Sequence, residues 1–244
     1  MRLGSLVHAG RLEPLWIAER YVVMPLFELD VLTSSGEIPA NPKSTKAYRE
    51  KVAQFTAANK DKTVVTQAQY DAMRAMVGEL AAHPRAAALL EDGDYEVSIL
   101  WRDVDSGLLC KGRIDCWQRR QSVVVDIKTT ADAGRFERQI LDRAYHRQLA
   151  MYADGLAELT DHEHGGALVA VESGEPYSVR AALMSEAAME AGHAEYKRLL
   201  KQIAEAVEAK HWPGYESPEE WTIPVWAQDQ DEVELVIGGE KVKL

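Results

Sequence analysis

Apolar positions along the chain recur first at helical spacing, then at every second residue, then at helical spacing again. Leu3, Leu6, Val7 and Leu12 predict a short helix that carries His8 and ends before Pro14. After an irregular stretch holding Pro25, Pro39 and Pro42, Ser44 is placed to cap a helix running to about Asn59. Thr66 with Gln69 forms a capping box for a helix to about Ala82, and Pro84 opens another short one. From about Tyr95 the period becomes two, predicting strands near 95–101, 108–117 and 123–129. The polar turns 103–107 and 119–122 join them into an antiparallel meander. A helix over about 133–159 follows, then strands near 166–172 and 177–183. Ser185 caps an amphipathic helix to about Lys210, and a hairpin around Gly238-Gly239 lies in the tail. There is no internal repeat. The pattern predicts one α/β domain over residues 1–215, a central mixed sheet flanked by helices, with an acidic C-terminal extension over residues 216–244 packed on it.

Composition supports this reading and narrows it. With 244 residues, 46% apolar and 27% charged, the chain can bury one substantial core. It has no run of about 18 apolar residues and no basic-then-apolar leader, so a soluble cytoplasmic protein with no membrane partner is expected. Cys110 and Cys116 lie six positions apart on one predicted strand, too far along it to bridge. Two cysteines are also too few for a cluster of four thiolates.

The net charge of −11 is uneven. From Arg102 to Arg147 ten Lys/Arg face seven Asp/Glu, whereas from Asp154 onward seven face nineteen. Such segregation can hold a polyanion on one face and repel it elsewhere; a solvated acidic surface explains the distal half equally well.

The candidate chemistry sits on the meander. Gly112-Arg-Ile-Asp115 occupies one strand and Asp126-Ile-Lys128 the next. Alternation along a strand sends Asp126 and Lys128 to the same side and Ile127 into the core. Asp115, Asp126 and the Ile127 carbonyl can offer hard oxygen ligands to a divalent cation, and Lys128 can orient a water and offset negative charge. A turn-proximal acid and a cross-strand ion pair would produce the same letters. An ionised Asp directly after Val123-Val124-Val125 nevertheless falls where a charge must be paired or metal-bound. Glu96 can add a further carboxylate or be an exposed strand residue. Gln148 and Tyr152, four apart on a helix, share a face, and an amide in an apolar stripe needs a partner. Arg113 and Arg147 are candidate phosphate contacts within a larger set of arginines.

These residues resemble the PD-(D/E)XK nuclease superfamily, and within it the RecE type, the catalytic domain of exodeoxyribonuclease VIII. Asp115 matches the first acidic residue, with Ile114 where the superfamily name has Pro. Asp126, Ile127 and Lys128 match (D/E)XK. The opening Gly4-Ser-Leu-Val-His8 and Leu12-Glu13-Pro14 resemble the helix whose histidine ligates metal, and Gln148 with Tyr152 resembles the Gln-x-x-x-Tyr pair of RecB-, RecE- and lambda-exonuclease-like enzymes. RecE-type domains usually carry a further segment before the histidine helix.

The resemblance implies a restriction-endonuclease-like core whose catalytic residues are Asp115, Asp126 and Lys128. Its metal ligands would be His8, Glu96, Asp115, Asp126 and Ile127, holding two Mg2+ ions with Mn2+ able to substitute. Gln148, Tyr152, Arg113 and Arg147 would contact DNA. The implied activity is 5′-to-3′ degradation of one strand of linear double-stranded DNA, leaving 3′ overhangs for a single-strand annealing recombinase of RecT type, by a trimeric or tetrameric homo-oligomeric ring. The alternatives are a RecB- or Cas4-like nuclease acting on single strands, and a non-catalytic DNA-end-binding protein that keeps the fold.

Overall fold

The computed structural model describes residues 2–215, 217, 220–222, 234–237 and 240–243. Residues Met1–Ala204 form one compact unit and Glu205–Leu244 a second. The first unit opens with α1 (Arg2–Leu12), α2 (Ile17–Arg20) and the short strand β1 (Tyr21–Val23). Then come α3 (Lys46–Ala58), β2 (Thr63–Val65), α4 (Gln67–Ala82) and α5 (Pro84–Leu90). The meander follows as β3 (Asp94–Arg102), β4 (Leu109–Gln118) and β5 (Val123–Thr130). After it come α6 (Phe136–Asp142), α7 (Tyr145–Thr160), β6 (Gly165–Glu172), β7 (Val179–Leu183) and α8 (Glu186–Ala209).

The central sheet has the order β3-β4-β5-β6-β7. Its β3–β4, β4–β5 and β6–β7 pairs are antiparallel, whereas β5 and β6 run parallel because α6 and α7 carry the chain back across one face. The sheet is mixed, as the periodicity predicts. Two apolar layers enclose it. Leu6 and Val7 of α1, Met73, Met76 and Leu80 of α4 and Leu90 of α5 pack on Val123, Val125, Ile127, Ala167 and Val169. On the other face Leu149, Ala153 and Leu156 of α7, with Tyr196 and Leu200 of α8, cover Ile114, Val124, Leu168 and Ala170. Being covered on both sides, β5 carries consecutive valines rather than an alternation.

Local signals set several boundaries. Thr66 and Gln69 close the expected capping box, and the Ser185 hydroxyl accepts the Ala188 N–H at 3.2 Å. The α3 cap falls one residue later than expected: Thr45 accepts the Tyr48 N–H, while Ser44 donates to the Asn41 carbonyl. The expected helix over 133–159 is two helices. Ala144 adopts φ +52°, and its N–H bonds to the Leu141 carbonyl, closing α6 with a tight turn before α7 begins. A second sheet pairs β1 with β2 in parallel, strands too short for periodicity to reveal.

Helices α7 and α8 meet where a side chain cannot fit. A Cβ on Gly192 would lie 2.5 Å from the His146 carbonyl oxygen. Gly192→Ala is therefore expected to force the helices apart and cost about 1–3 kcal/mol in urea unfolding, more than the small gain in helix propensity returns.

In the second unit, β8 (Glu234–Ile237) and β9 (Glu240–Lys243) pair antiparallel with Ile237 opposite Glu240. This matches the hairpin expected there, although Gly238 and Gly239 themselves lie outside the described residues.

Candidate metal centre

The site forms where the strand ladders are interrupted. The β3–β4 register pairs Tyr95 with Cys116 and Val97 with Ile114, stepping over the opposed Glu96 and Asp115. Glu96 has φ +53°, a left-handed conformation that costs a non-glycine residue free energy. At this step both strands invert their faces. Tyr95 and Cys116 belong to the α1 side of the sheet, whereas Val97 and Ile114 belong to the α7 side. Glu96 and Asp115 are thereby turned to the same place.

The β4–β5 ladder runs from Gln118–Val123 to Cys116–Val125. Beyond it, the Asp115 carboxylate takes the position of a ladder acceptor: its Oδ2 accepts the Ile127 N–H at 2.8 Å. His8, delivered by α1, brings Nδ1 to 3.4 Å from the same oxygen. Ligand atoms of His8, Glu96 and Asp115 all lie within 4.8 Å of one another. Two carboxylates and an imidazole can hold a divalent cation there, with manganese and magnesium both suited to the oxygen donors.

Asp126 lies on β5, directly before Ile127. Its side chain is 4% exposed, its Oδ1 accepts the Gln148 amide at 2.8 Å, and its Oδ2 lies 2.6 Å from Lys128 Nζ. Lys128 in turn donates to Gln148 Oε1 at 3.2 Å and lies 4.8 Å from the centre of the Tyr145 ring. Gln148 thus finds the partner its setting on α7 demands: it bridges the acid and the base. Asp126 Oδ2 is buried, with the Lys128 ammonium as its close partner.

Electrostatics bind the cluster together. Burial, aided by the Asp115 carboxylate, pushes Asp126 up to about 6 against the pull of Lys128. Burial works against protonation of His8, but hydrogen bonding and attraction to Asp115, helped by Asp126, outweigh it and raise its pKa. For Lys128 burial is likewise outweighed, by Asp126 above all, so the ammonium form is favoured. Burial raises Glu96, with Arg113 opposing and Asp115 assisting. Carboxylates gathered in a partly desolvated place need a compensating cation, and a divalent ion would supply one.

These groups open into a cleft of about 600 Å³, lined by His8, Glu13, Arg20, Tyr21, Glu96, Arg113, Asp115, Ile127, Lys128 and Tyr145 among others. Arg113 pairs with Glu96 at 2.5 Å and reaches toward Glu13 at 3.7 Å, and Arg20 forms a two-point ion pair with Glu13. Of the residues predicted as DNA contacts, Arg113 lines the cleft and Gln148 stands behind it. Tyr152 and Arg147 take other places. A Cβ on Gly112 would meet the Tyr152 ring at 2.7 Å, so this tyrosine packs flat on β4 within the α7-side core. Arg147 pairs with Glu195 of α8 at 3.0 Å.

Tyr145, Glu13 and Arg20 are cleft residues that sequence reasoning left without a role. Tyr145 was within reach of it, because it lies three positions before Gln148 and hence on the same helix face. Gln148→Ala is expected to remove both bridging hydrogen bonds, leaving Asp126 Oδ1 without its donor and Lys128 without that acceptor, and to cost about 1–3 kcal/mol in urea unfolding with EDTA present.

Comparison with known proteins agrees with this fold. The family described as PDDEXK-like domain of unknown function (DUF3799) matches residues 1–220. A search of curated proteins gives no match. Among solved structures, a Eubacterium rectale protein named "Putative exonuclease" superposes with a TM-score of 0.51 at 11% identity, over 75% of this chain and 74% of that one. A phage related exonuclease from Haemophilus somnus 129PT gives 0.37 at 8% identity, over 76% of this chain and 93% of that one. The first likeness shows the fold. Nucleases of this fold typically use divalent metals, and the acid cluster between α1, β3 and β4 suits one. The chain belongs to the PDDEXK-like family DUF3799, with the mixed sheet and flanking helices of a PD-(D/E)XK nuclease.

Proposed function

We propose that the protein is a metal-dependent deoxyribonuclease that degrades linear double-stranded DNA from its ends, 5′ to 3′, leaving 3′ single-stranded overhangs for an annealing recombinase of RecT type. The observation that carries the reading is the convergence of His8, Glu96 and Asp115 at the break in the ladders, with Asp126 and Lys128 on β5 bridged by Gln148 of α7. His8, Glu96, Asp115, Asp126 and the Ile127 carbonyl would hold the metal, two Mg2+ ions or Mn2+ in their place. When bound, the cations lower the pKa of a water and absorb charge on the phosphate oxygens. Lys128 orients that water and stabilises the negative charge of the transition state. Gln148 fixes the rotamers of Asp126 and Lys128, so neither must reorganise during reaction. Arg113 lies beside the cleft as a contact for a neighbouring phosphate. The end preference, the polarity and a homo-oligomeric ring rest on the resemblance of the Gly-x-x-x-His helix to the RecE type.

Linear duplex labelled at one 5′ or one 3′ end, beside a covalently closed circle, tests the finer reading. Early release of the 5′ label with the circle intact is expected. Early release of the 3′ label, or cutting of the circle, would reverse the polarity or replace the end preference.

A further inference from the structure

A larger groove adjoins the metal cleft and has no role in the chemistry above. It measures about 810 Å³ and is walled by β1, α3, β2 and the start of α4. Ser5 and Tyr21 line both the groove and the cleft, so the two are neighbours. The groove's lining contains no Asp or Glu and one lysine, Lys62, in a chain whose net charge is −11. Its floor is apolar, with Val65 buried and Val52, Val64 and Met24 half-buried. Its rim carries the hydroxyls of Thr56 and Thr63 and the Lys62 ammonium, which also donates to the Ala18 carbonyl at 2.8 Å. An aromatic ring, Tyr21, stands at the junction.

We propose that this groove receives the unpaired nucleotides of the DNA strand that runs through the metal cleft. The inference rests on the nuclease reading and adds a strand path to it. Each lining feature matches one part of a nucleotide. The apolar floor and the Tyr21 ring accept base faces, while the hydroxyls and Lys62 meet sugar and phosphate without a carboxylate to repel them. A volume of this order suits one or a few nucleotides. Bases laid on that floor cannot stay paired, so the strand is separated from its complement before it enters the groove.

The test measures binding of fluorescein-labelled single-stranded oligothymidylate to the full chain in EDTA, by anisotropy, for wild type, Thr63→Glu and Val52→Trp. Thr63→Glu places a carboxylate in the acid-free groove from an exposed position, and Val52→Trp fills its floor. Both are expected to bind the oligonucleotide about ten-fold more weakly or worse, the scale of one lost base-stacking contact. Their manganese-induced thermal shift should equal that of wild type, because the metal ligands are untouched. Free thymidine monophosphate should compete only at much higher concentration than the oligonucleotide. Wild-type affinity in both variants, with DNA still cut under magnesium, would overturn the groove and leave the nuclease reading standing. Equal affinity for monophosphate and oligonucleotide would make the groove a product pocket and overturn the strand path. A wild-type protein that neither binds nor cuts DNA would overturn both readings. If Val52→Trp fails to fold, Thr63→Glu decides alone.

Discussion

Replacing Lys128 by Ala is expected to lower DNA cleavage by about 10³-fold and to destabilise the metal-free protein by about 3 kcal/mol, two losses with separate origins. The kinetic loss follows from removing a fixed positive charge where the transition state gathers negative charge. The stability loss follows from Asp126, whose side chain is 4% exposed and whose closest cation is Lys128 at 2.6 Å. Without that ammonium the carboxylate keeps its Gln148 donor but loses its counter-charge, with Asp115 adding repulsion. The combination Asp126→Asn with Lys128→Ala separates the two effects. Asn can still accept the Gln148 amide and needs no counter-ion, so urea unfolding should recover much of the lost stability while cleavage stays absent. An active Lys128→Ala variant would remove Lys128 from the chemistry, whatever its effect on stability.

The second large effect is metal-linked stability. A divalent cation present at about one hundred times its dissociation constant adds about 2.7 kcal/mol to the folded state. For a chain of this length that raises Tm by about 5–10 °C. Manganese or magnesium should give such a shift to wild type and little or none to Asp115→Asn or His8→Ala. Asp115→Asn is the cleaner probe, because its amide oxygen can still accept the Ile127 N–H that Asp115 now accepts at 2.8 Å. Its fold should therefore persist in EDTA while the shift disappears. A full shift in both variants would place the metal elsewhere.

Much of this organisation is legible in the sequence, for identifiable reasons. Strong periodicity and side-chain caps locate the meander, α4 and α8, because each rests on a local rule that packing does not override. The Asp115, Asp126 and Lys128 set is legible because a charge following three valines needs compensation. Three features are not. The face inversion at Glu96 and Asp115 arises from a left-handed backbone at a glutamate, and nothing in the letters marks it. The break at Ala144 likewise involves neither Gly nor Pro and answers to the packing of α6 and α7 on the sheet. Tyr152 shares a face with Gln148 as expected, yet lies one turn farther along α7. There the absent side chain of Gly112 admits its ring, and it fills the core instead of the cleft.

Spacing makes Arg113 a candidate phosphate contact, and the fold places it in the lining of the cleft. It is held at the cleft by Glu96 and Glu13, so its guanidinium is placed before any substrate arrives. Arg147, equally plausible by charge alone, is committed to Glu195. For surface arginines the partner decides the role, and partners come from tertiary contacts that linear spacing does not contain.

The most direct test of the central claim is release of label from linear duplex DNA by the purified wild-type protein, with magnesium and with EDTA, beside Asp115→Asn. Rapid release with magnesium, none with EDTA and none from Asp115→Asn is the predicted result. Equal release by wild type and Asp115→Asn, or release that persists in EDTA, would contradict a metal-dependent nuclease centre at the break between β3, β4 and β5.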